Sequence, residues 1–191
     1  MIMHDPMRQW ECQDGIAFLK SIGVREGDSF LDFGCCAGHY SIPAAFAVGI
    51  SGMVYALDKD QIPLDQLMEK AERYSLKNVK AVKTNGPLDV NIKSGSIDVV
   101  LLYDVLHYFT RSQRRMLFRK VFRILKSTGL LSVYPKHTVE DWPLMELKDL
   151  RISDVKQEIC GCRFRSGGLL EATIAHDDAL EHALVMNFRK R

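Results

Sequence analysis

Short apolar runs alternate with helical patterns along most of this chain of 191 residues. The run at 29–33 (SFLDF) precedes an alanine-rich segment at 38–49, and the run at 51–60 precedes an amphipathic helix pattern at 63–76. Strands that alternate with helices need crossover connections, which favour a parallel sheet with helices on both faces. The order of the elements therefore predicts a doubly wound, Rossmann-like α/β fold.

The same alternation continues toward the C-terminus and then changes. Three further strand patterns lie at 78–86, 97–102 and 130–137. A basic helix pattern occupies 111–126, with Gly129 expected to end it, and 141–158 is expected to be helical in part. The tail reads as two strands around the acidic turn at 176–178. We therefore expect a mostly parallel, seven-stranded sheet with a C-terminal antiparallel hairpin.

Composition limits the class of protein more than its function. The net charge is +2, so composition alone does not indicate a nucleic-acid partner. No apolar run approaches the roughly 18 residues of a membrane-spanning helix, and the N-terminal stretch is too polar for a signal peptide. We expect a cytoplasmic protein whose five cysteines are reduced and mostly buried.

Ligands of a doubly wound sheet bind beyond the carboxyl ends of its strands. This rule selects four segments, 32–38, 58–60, 84–86 and 104–108. The first is not a dinucleotide loop, because Cys36 and His39 stand where that motif needs glycine, and no Walker lysine follows. The segment 32–38 thus offers an acid followed by two glycines, and these glycines permit a close turn into the next helix.

Two features of these segments have competing interpretations. Asp58 follows the second strand, where a carboxylate can accept both hydroxyls of a ribose; alternatively, it only opens the turn DKD. The adjacent Cys35 and Cys36 are either part of a cofactor loop or a redox or metal site. Cys160 and Cys162 have the wrong spacing for the common zinc knuckle.

Five stretches in order, FLDFGCCAG, VYALD, VKTNG, GSIDVVLLYDVLHY and VFRILKSTGLL, resemble the successive motifs of class I S-adenosylmethionine-dependent methyltransferases. The nearest subgroup is the type 11-like one, which methylates quinones and other small molecules. The resemblance covers 25–135 and implies S-adenosylmethionine as the cofactor, with no metal. It implies one methyltransferase domain over 1–191, with a lid helix at 1–24, a cofactor-binding core at 25–135, and a C-terminal helix and hairpin at 136–191.

The resemblance also implies a cofactor-binding set, carried over by position. Its members are Asp32, Gly34, Cys36, Gly38, Tyr40, Asp58, Lys59, Asn85, Gly86, Asp104, Val105 and His107. The first motif cradles the methionine part of the cofactor, Asp58 binds the ribose, and Asn85 stands where the family usually has an acid for the adenine amino group. Cys36 stands where the family favours glycine, and a positive φ there would cost ~1–2 kcal/mol.

Methyl transfer from a sulfonium is a direct displacement that needs alignment of the acceptor and exclusion of water. A general base is needed only for an acceptor that must lose a proton, and His107 is the best candidate, with a structural role as its alternative. His137 is expected to line the acceptor side. Apolar side chains suit a small, flat acceptor or belong to the core: Met7, Trp10, Trp142, Met145 and Leu147.

Other functions stay open at this point. The basic helix at 111–126 is either a solvated face or a contact for RNA or acidic lipid, so methylation of RNA or protein is the first alternative. Cys36 and Asn85 motivate the second, a non-catalytic module with the methyltransferase fold. The loop nearly excludes a nicotinamide oxidoreductase. The expected partner is a small-molecule methyl acceptor, and the sequence assigns neither its reacting atom nor an oligomeric state.

Overall fold

A computed structural model describes residues 5–86 and 89–191. The helices are α1 (Pro6–Gln9), α2 (Gly15–Ile22), α3 (Ser41–Val48), α4 (Gln61–Arg73), α5 (Arg111–Ile124) and α6 (Ile152–Cys160). The strands are β1 (Ser29–Phe33), β2 (Met53–Asp58), β3 (Val79–Lys83), β4 (Ile97–Tyr103), β5 (Leu125–Tyr134), β6 (Phe164–His176) and β7 (Ala179–Lys190). The first four residues of the predicted lid helix lie outside the described residues.

The strands follow the order β3-β2-β1-β4-β5-β7-β6 in one seven-stranded sheet. β1 pairs with β2, β2 with β3, and β4 with β5, each in parallel, whereas β7 runs antiparallel to β5. Sequential strands that pair in parallel require the helical crossovers that the alternation of patterns predicted. The predicted fold class, a mostly parallel doubly wound sheet with a C-terminal antiparallel pair, is confirmed.

The chain divides into two compact units. The first comprises the described residues up to Lys83 together with 171–183. In it, α3 packs against β1, β2 and β3, and α4 packs against β2 and β3. Gly38 has a φ of +87°, and a Cβ atom at this position would collide with the Leu67 side chain of α4. The glycine therefore lets α4 approach the loop that follows β1.

The N-terminal helical segment belongs to the first unit. It runs through α1, a π-helical stretch at Trp10–Asp14, and α2. Trp10 is buried, and its Nε1–H donates a hydrogen bond of 2.8 Å to the carbonyl oxygen of His39. Glu11 is also buried and pairs with Lys70 of α4 at 2.7 Å. Its buried side chains attach this segment to α4 and to the loop before α3.

The second unit comprises 84–170 and 184–191. Its centre is the β4–β5 pair, against which α5 packs through buried Leu117, Phe118 and Val121. The expectation that Gly129 ends α5 is wrong: α5 ends at Ile124, and Gly129 lies inside β5. A Cβ atom there would lie 2.8 Å from the Leu125 side chain and 3.1 and 3.2 Å from the carbonyl oxygens of Lys126 and Asp98, so close packing around β5, not helix capping, favours this glycine.

The segment between β5 and β6 is helical in part, as expected from its sequence. It holds a 3-10 turn at Met145–Leu147 and the nine-residue helix α6. Within residues 5–86 and 89–191, no helix has both the length and the apolar character needed to cross a membrane. The subdivision into lid, core and C-terminal region stays a prediction.

Candidate functional site

The loop after β1 is built from backbone conformations that favour glycine. Gly34, Cys36 and Gly38 have φ values of +78°, +45° and +87°. The N–H groups of Gly34 and Cys35 both donate to the carbonyl oxygen of Leu57, at 2.8 and 3.0 Å. The N–H of Cys36 donates to Oδ2 of Asp58 at 2.9 Å. The loop is thus fixed along its length to the carboxyl end of β2.

The two cysteines of this loop differ in environment. Cys36 is exposed and carries a side chain at a left-handed position, the condition under which its presence costs ~1–2 kcal/mol. Cys35 is buried, and burial raises the pKa of its thiol far above the ordinary range, helped by the Asp32 and Asp58 carboxylates. A thiol held in the protonated form is a poor nucleophile and metal ligand, which disfavours the redox interpretation.

Asp32 is buried inside the first unit. The Ser41 hydroxyl donates a hydrogen bond of 2.6 Å to its Oδ2. Burial raises the pKa of Asp32 to about 6; the Ser41 bond opposes this effect, and the Asp58 charge adds to it. Tyr40 is buried as well, and its hydroxyl donates to the carbonyl oxygen of Ala175 at 2.6 Å. Direct contact of Asp32 or Tyr40 with a cofactor stays a prediction.

Asp58 is the last residue of β2 and stands at the sheet edge selected from the sequence. Its Oδ1 accepts the N–H of Asp60 at 3.0 Å, so Asp58 does open the turn DKD, as the alternative interpretation held. A carboxylate oxygen can accept more than one hydrogen bond, so this turn contact does not conflict with a role toward a diol. Lys59 is exposed, and its Nζ lies 3.8 Å from a carboxylate oxygen of Asp60.

Asn85 and Gly86 lie in the second unit, just beyond β3. Asn85 is exposed, and its backbone N–H donates to Oδ2 of Asp89 at 3.3 Å. Among the described residues, a Cβ atom added at Gly86 would meet no neighbour within 4 Å. The amide side chain of Asn85 is thus accessible, as its predicted role toward an adenine requires, and that role stays a prediction.

A second group of predicted residues surrounds the turn after β4. Asp104 directly follows β4, and Val105 and His107 are buried in the turn that comes next. Oδ1 of Asp104 lies 3.3 Å from Nδ1 of His107 and 3.3 Å from Nε2 of His137. The two imidazole rings are nearly perpendicular, with centroids 4.5 Å apart. The structure thus joins His137, expected only on the acceptor side, to Asp104 and His107.

The apolar residues suggested for an acceptor surface divide into two groups. Trp10 and Leu147 are buried and belong to the core. Trp142 and Met145 are exposed, as is Tyr108, whose ring lies against that of His107. In the second unit, the apolar surface therefore lies beside the turn that carries His107, since this turn packs against the turn at Met145–Leu147.

Several basic residues of the 111–126 segment serve internal contacts. Arg114 is buried and paired with Glu158, so the solvated-face interpretation is wrong for this residue. Arg123 donates to the carbonyl oxygens of Ile92 and Val90, and Lys126 pairs with Asp98 at 2.7 Å. Contact with RNA through the remaining exposed arginines stays a prediction.

Part of the chain matches the model of a known protein family. The model of a methyltransferase domain matches residues 30–129, which is more than half of the chain. The chain belongs to the methyltransferase domain family. The matched range contains the loop at 34–38, Asp58, Asn85 and Asp104. Membership of this family agrees with the resemblance found in the sequence motifs.

Curated relatives and solved structures of this methyltransferase family add detail. A demethylmenaquinone methyltransferase of Lactobacillus johnsonii is 28% identical over 116 residues, covering 61% of this chain and 47% of that protein. A probable cobalt-precorrin-6B C(15)-methyltransferase (decarboxylating) of Saccharolobus solfataricus is 28% identical over 85 residues, or 44% of this chain and 43% of that protein. The chain thus spans less than half the length of these relatives.

A SAM-dependent methyltransferase of Aquifex aeolicus, known from its crystal structure, has a TM-score of 0.77 to this chain at 21% identity. The superposition covers 98% of this chain and 95% of that protein. At this identity, the likeness concerns the fold, and it extends over nearly the whole chain, including the C-terminal strands that the family model does not reach.

Proposed function

We propose that the protein is an S-adenosylmethionine-dependent methyltransferase that acts on a small-molecule acceptor. The observation that carries the proposal is the attachment of the left-handed loop at 34–38 to Asp58 through the N–H of Cys36. This attachment holds an acid at the end of β2 beside a loop with no room for side chains at Gly38. A family member needs both features to bind a nucleoside that carries a methionine tail.

The predicted site residues of the first unit have the following proposed roles in that binding. The carboxylate oxygens of Asp58 accept the ribose hydroxyls. The methionine part lies against the backbone of the loop at 34–38 near the start of α3, and Gly34 and Gly38 give that loop its left-handed conformations. Asp32 acts through Ser41, because its carboxyl group is buried and holds that hydroxyl at 2.6 Å. Of the other predicted ligands, Lys59 is the most accessible, and Tyr40 supports the loop from the core.

Residues of the second unit are proposed to bind the adenine and to lie next to the transferred methyl group. The side-chain oxygen of Asn85 accepts a hydrogen bond from the adenine amino group, and Gly86 leaves space beside it. Asp104, Val105 and His107 form the segment that the family uses next to the transferred methyl group. A bound S-adenosylmethionine supplies the activated methyl group, so the residues of the chain align the acceptor and exclude water.

The proposed acceptor is a small molecule with apolar surface. The two curated relatives are named for methylation of a cobalt-precorrin and of demethylmenaquinone, which are small molecules. The exposed side chains of Tyr108, Trp142 and Met145 offer apolar contact on the unit that carries His107. A protic acceptor would give its proton to His107, the proposed base.

Calorimetric titration with S-adenosylmethionine and S-adenosylhomocysteine tests this function. We expect micromolar binding of both compounds, no binding of NADH, and loss of binding in Asp58→Ala. Asp60→Ala is the matched control, because Asp60 is an exposed acid two residues away in the same turn. Absence of binding in folded, unaltered protein would overturn the enzyme proposal and favour a non-catalytic module.

A further inference from the structure

We propose that Asp104, His107 and His137 bind a divalent transition-metal ion, for which Zn²⁺ is the best match. All three residues belong to the second unit, and their candidate ligand atoms lie within 4.8 Å of one another. The proposal concerns metal binding alone and does not depend on the proposed methyl transfer. It differs from the expectation from the sequence motifs, which included no metal.

Two of the three distances within the cluster match a tetrahedral zinc site, and the third, between the two histidine nitrogens, is at most 4.8 Å. Zinc binds histidine nitrogen and carboxylate oxygen at about 2.0–2.2 Å, which separates neighbouring ligand atoms by about 3.3–3.6 Å in a tetrahedron. Oδ1 of Asp104 lies 3.3 Å from Nδ1 of His107 and 3.3 Å from Nε2 of His137. The three side chains therefore need little rearrangement to share one ion.

A hydrogen bond made by Nδ1 of His137 indicates that Nε2 is the nitrogen that could bind a metal ion. Nδ1 of His137 lies 2.9 Å from the carbonyl oxygen of Trp142. A carbonyl oxygen only accepts, so Nδ1 carries a proton, and Nε2, the nitrogen that faces the Asp104 carboxylate, is the one that a metal ion would bind. Metal-binding histidines commonly donate their other N–H to a carbonyl in this way, which orients the ring.

His107 contributes a nitrogen that cannot turn toward water. Its side chain is almost fully buried, and its Nδ1 makes no hydrogen bond within the described residues. The ring lies against Tyr108 at 3.9 Å and against His137 at 4.5 Å between centroids. A buried polar atom without a hydrogen bond costs free energy, and a bound cation would remove that cost.

The backbone holds two of the three ligands in conformations that are rare for residues with side chains. Asp104 has a φ of +49°, and His137 has a φ of +72°. Such conformations cost of order 1–3 kcal/mol and persist where the surrounding structure requires them, often at ligand sites. Both strained residues follow parallel neighbouring strands, β4 and β5, so the strain directs two side chains toward the same point.

The donor set decides which ion the cluster prefers. Two imidazoles and one carboxylate suit zinc and other first-row transition metals, whereas magnesium and calcium prefer oxygen ligands alone. Three protein ligands leave one tetrahedral position for water or for an oxygen atom of a bound molecule. A metal ion on Nδ1 would also occupy the lone pair that a base needs, so His107 would then be a ligand and not a base.

Zinc titration of untagged, full-length protein tests the proposal. Exposed thiols are first alkylated, because Cys36 is exposed and thiolates also bind zinc. We expect one site by calorimetry, weakened at least about tenfold in His137→Ala and in Asp104→Asn, since even the loss of an outer-shell partner costs about 10–100-fold. His182→Ala is the matched control, because His182 is an exposed histidine of the first unit and leaves the titration unchanged.

Cobalt substitution provides a readout on the unaltered protein, in case a variant does not fold. Co²⁺ in the proposed site gives the visible absorption of a four-coordinate ion with nitrogen and oxygen ligands and no thiolate charge-transfer band. Absence of zinc binding, equal binding by His137→Ala, or a thiolate spectrum each overturns the proposal. In that case, a proton shared between His137 and Asp104 accounts for their separation of 3.3 Å.

Discussion

Arg114 and Glu158 form a bidentate ion pair that joins α5 to α6. Nε–H and Nη2–H of Arg114 donate to the two carboxylate oxygens of Glu158 at 2.7 and 2.9 Å, and Nη1–H donates to the carbonyl oxygen of Phe109 at 2.7 Å. The Arg114 side chain is 2% exposed and that of Glu158 is 12% exposed. Removal of one partner from a pair this buried strongly destabilises the protein, because the other charge loses its main partner.

We therefore predict that Arg114→Ala lowers the free energy of unfolding by about 3 kcal/mol, the lower end of the range for a broken buried pair, because Glu158 loses its bidentate partner and is left with the exposed Arg111, whose Nε lies 3.5 Å from Oε1. Urea denaturation measures the change. Arg115→Ala is the control, since Arg115 is the exposed neighbour and such surface changes stay within about 0.5 kcal/mol. The double variant Arg114→Met, Glu158→Leu is expected to lose less stability than Arg114→Ala alone; an equal or greater loss would contradict the explanation.

Gly38→Ala is expected to destabilise the first unit by at least about 2 kcal/mol. The new methyl group would combine the left-handed backbone at φ +87° with a collision against Leu67 of α4. Gly86→Ala provides a comparison, because no atom of residues 5–86 or 89–191 that could clash lies within 4 Å of the added atom. Thermal unfolding of both variants checks the prediction, and equal melting temperatures would show that the loop and α4 separate more easily than the structure indicates.

Cys36→Gly is expected to stabilise the protein by about 0.5–1 kcal/mol. Relief of the left-handed strain at φ +45° outweighs the added flexibility of glycine in the unfolded chain. Cys36→Ala removes the thiol but keeps the Cβ atom, so it should give no such gain. Denaturant midpoints of the two variants separate a backbone effect from a thiol effect, and the same variants allow a comparison of S-adenosylmethionine affinity.

The pH dependence of stability is expected to reveal the buried carboxyl group of Asp32. Burial raises the pKa of Asp32 from 3.8 to about 6, so the folded state keeps this proton while the unfolded state releases it. The protein should therefore lose up to about 3 kcal/mol of stability relative to Asp32→Asn as the pH rises from about 4 to about 6. Below pH 4, the difference between the two proteins should stay constant.

Ser41→Ala supplies the control for that experiment. The Ser41 hydroxyl donates to Asp32 and opposes the rise of its pKa, so its loss should move the transition to higher pH. Urea midpoints measured across the pH range give both curves. A stability difference between the unaltered protein and Asp32→Asn that does not change with pH would mean that the carboxyl group is hydrated in the folded state.

Local patterns in the sequence predicted most of the fold because each element carries its own periodicity. Apolar β1, β2 and β4 and amphipathic α4 were visible within windows of five to thirteen residues. The end of α5 was predicted wrongly because Gly129 lies within β5, where a Cβ atom would crowd Leu125, Lys126 and Asp98. Helix-capping rules cannot detect a requirement of that kind.

The candidate site, like the fold, was predicted from the sequence only in part. The motif order located the loop at 34–38 and Asp58, and the family's preference for glycine at position 36 anticipated the positive φ found at Cys36. The approach of His137 to Asp104 was not predicted, because it depends on the pairing of β4 with β5 and on the backbone conformation after each strand. A usable signal was present: an acid and a histidine that each follow a buried strand.

The two tryptophans of the chain occupy opposite environments, and this gives each compact unit its own optical reporter. Trp10 is 1% exposed in the first unit, whereas Trp142 is 78% exposed in the second. Trp10 should emit at short wavelength and resist an aqueous quencher; Trp142 should emit at long wavelength and be quenched readily. Fluorescence from unlabelled protein can therefore follow each unit separately, and the Trp142 signal comes from the residue whose carbonyl oxygen orients His137.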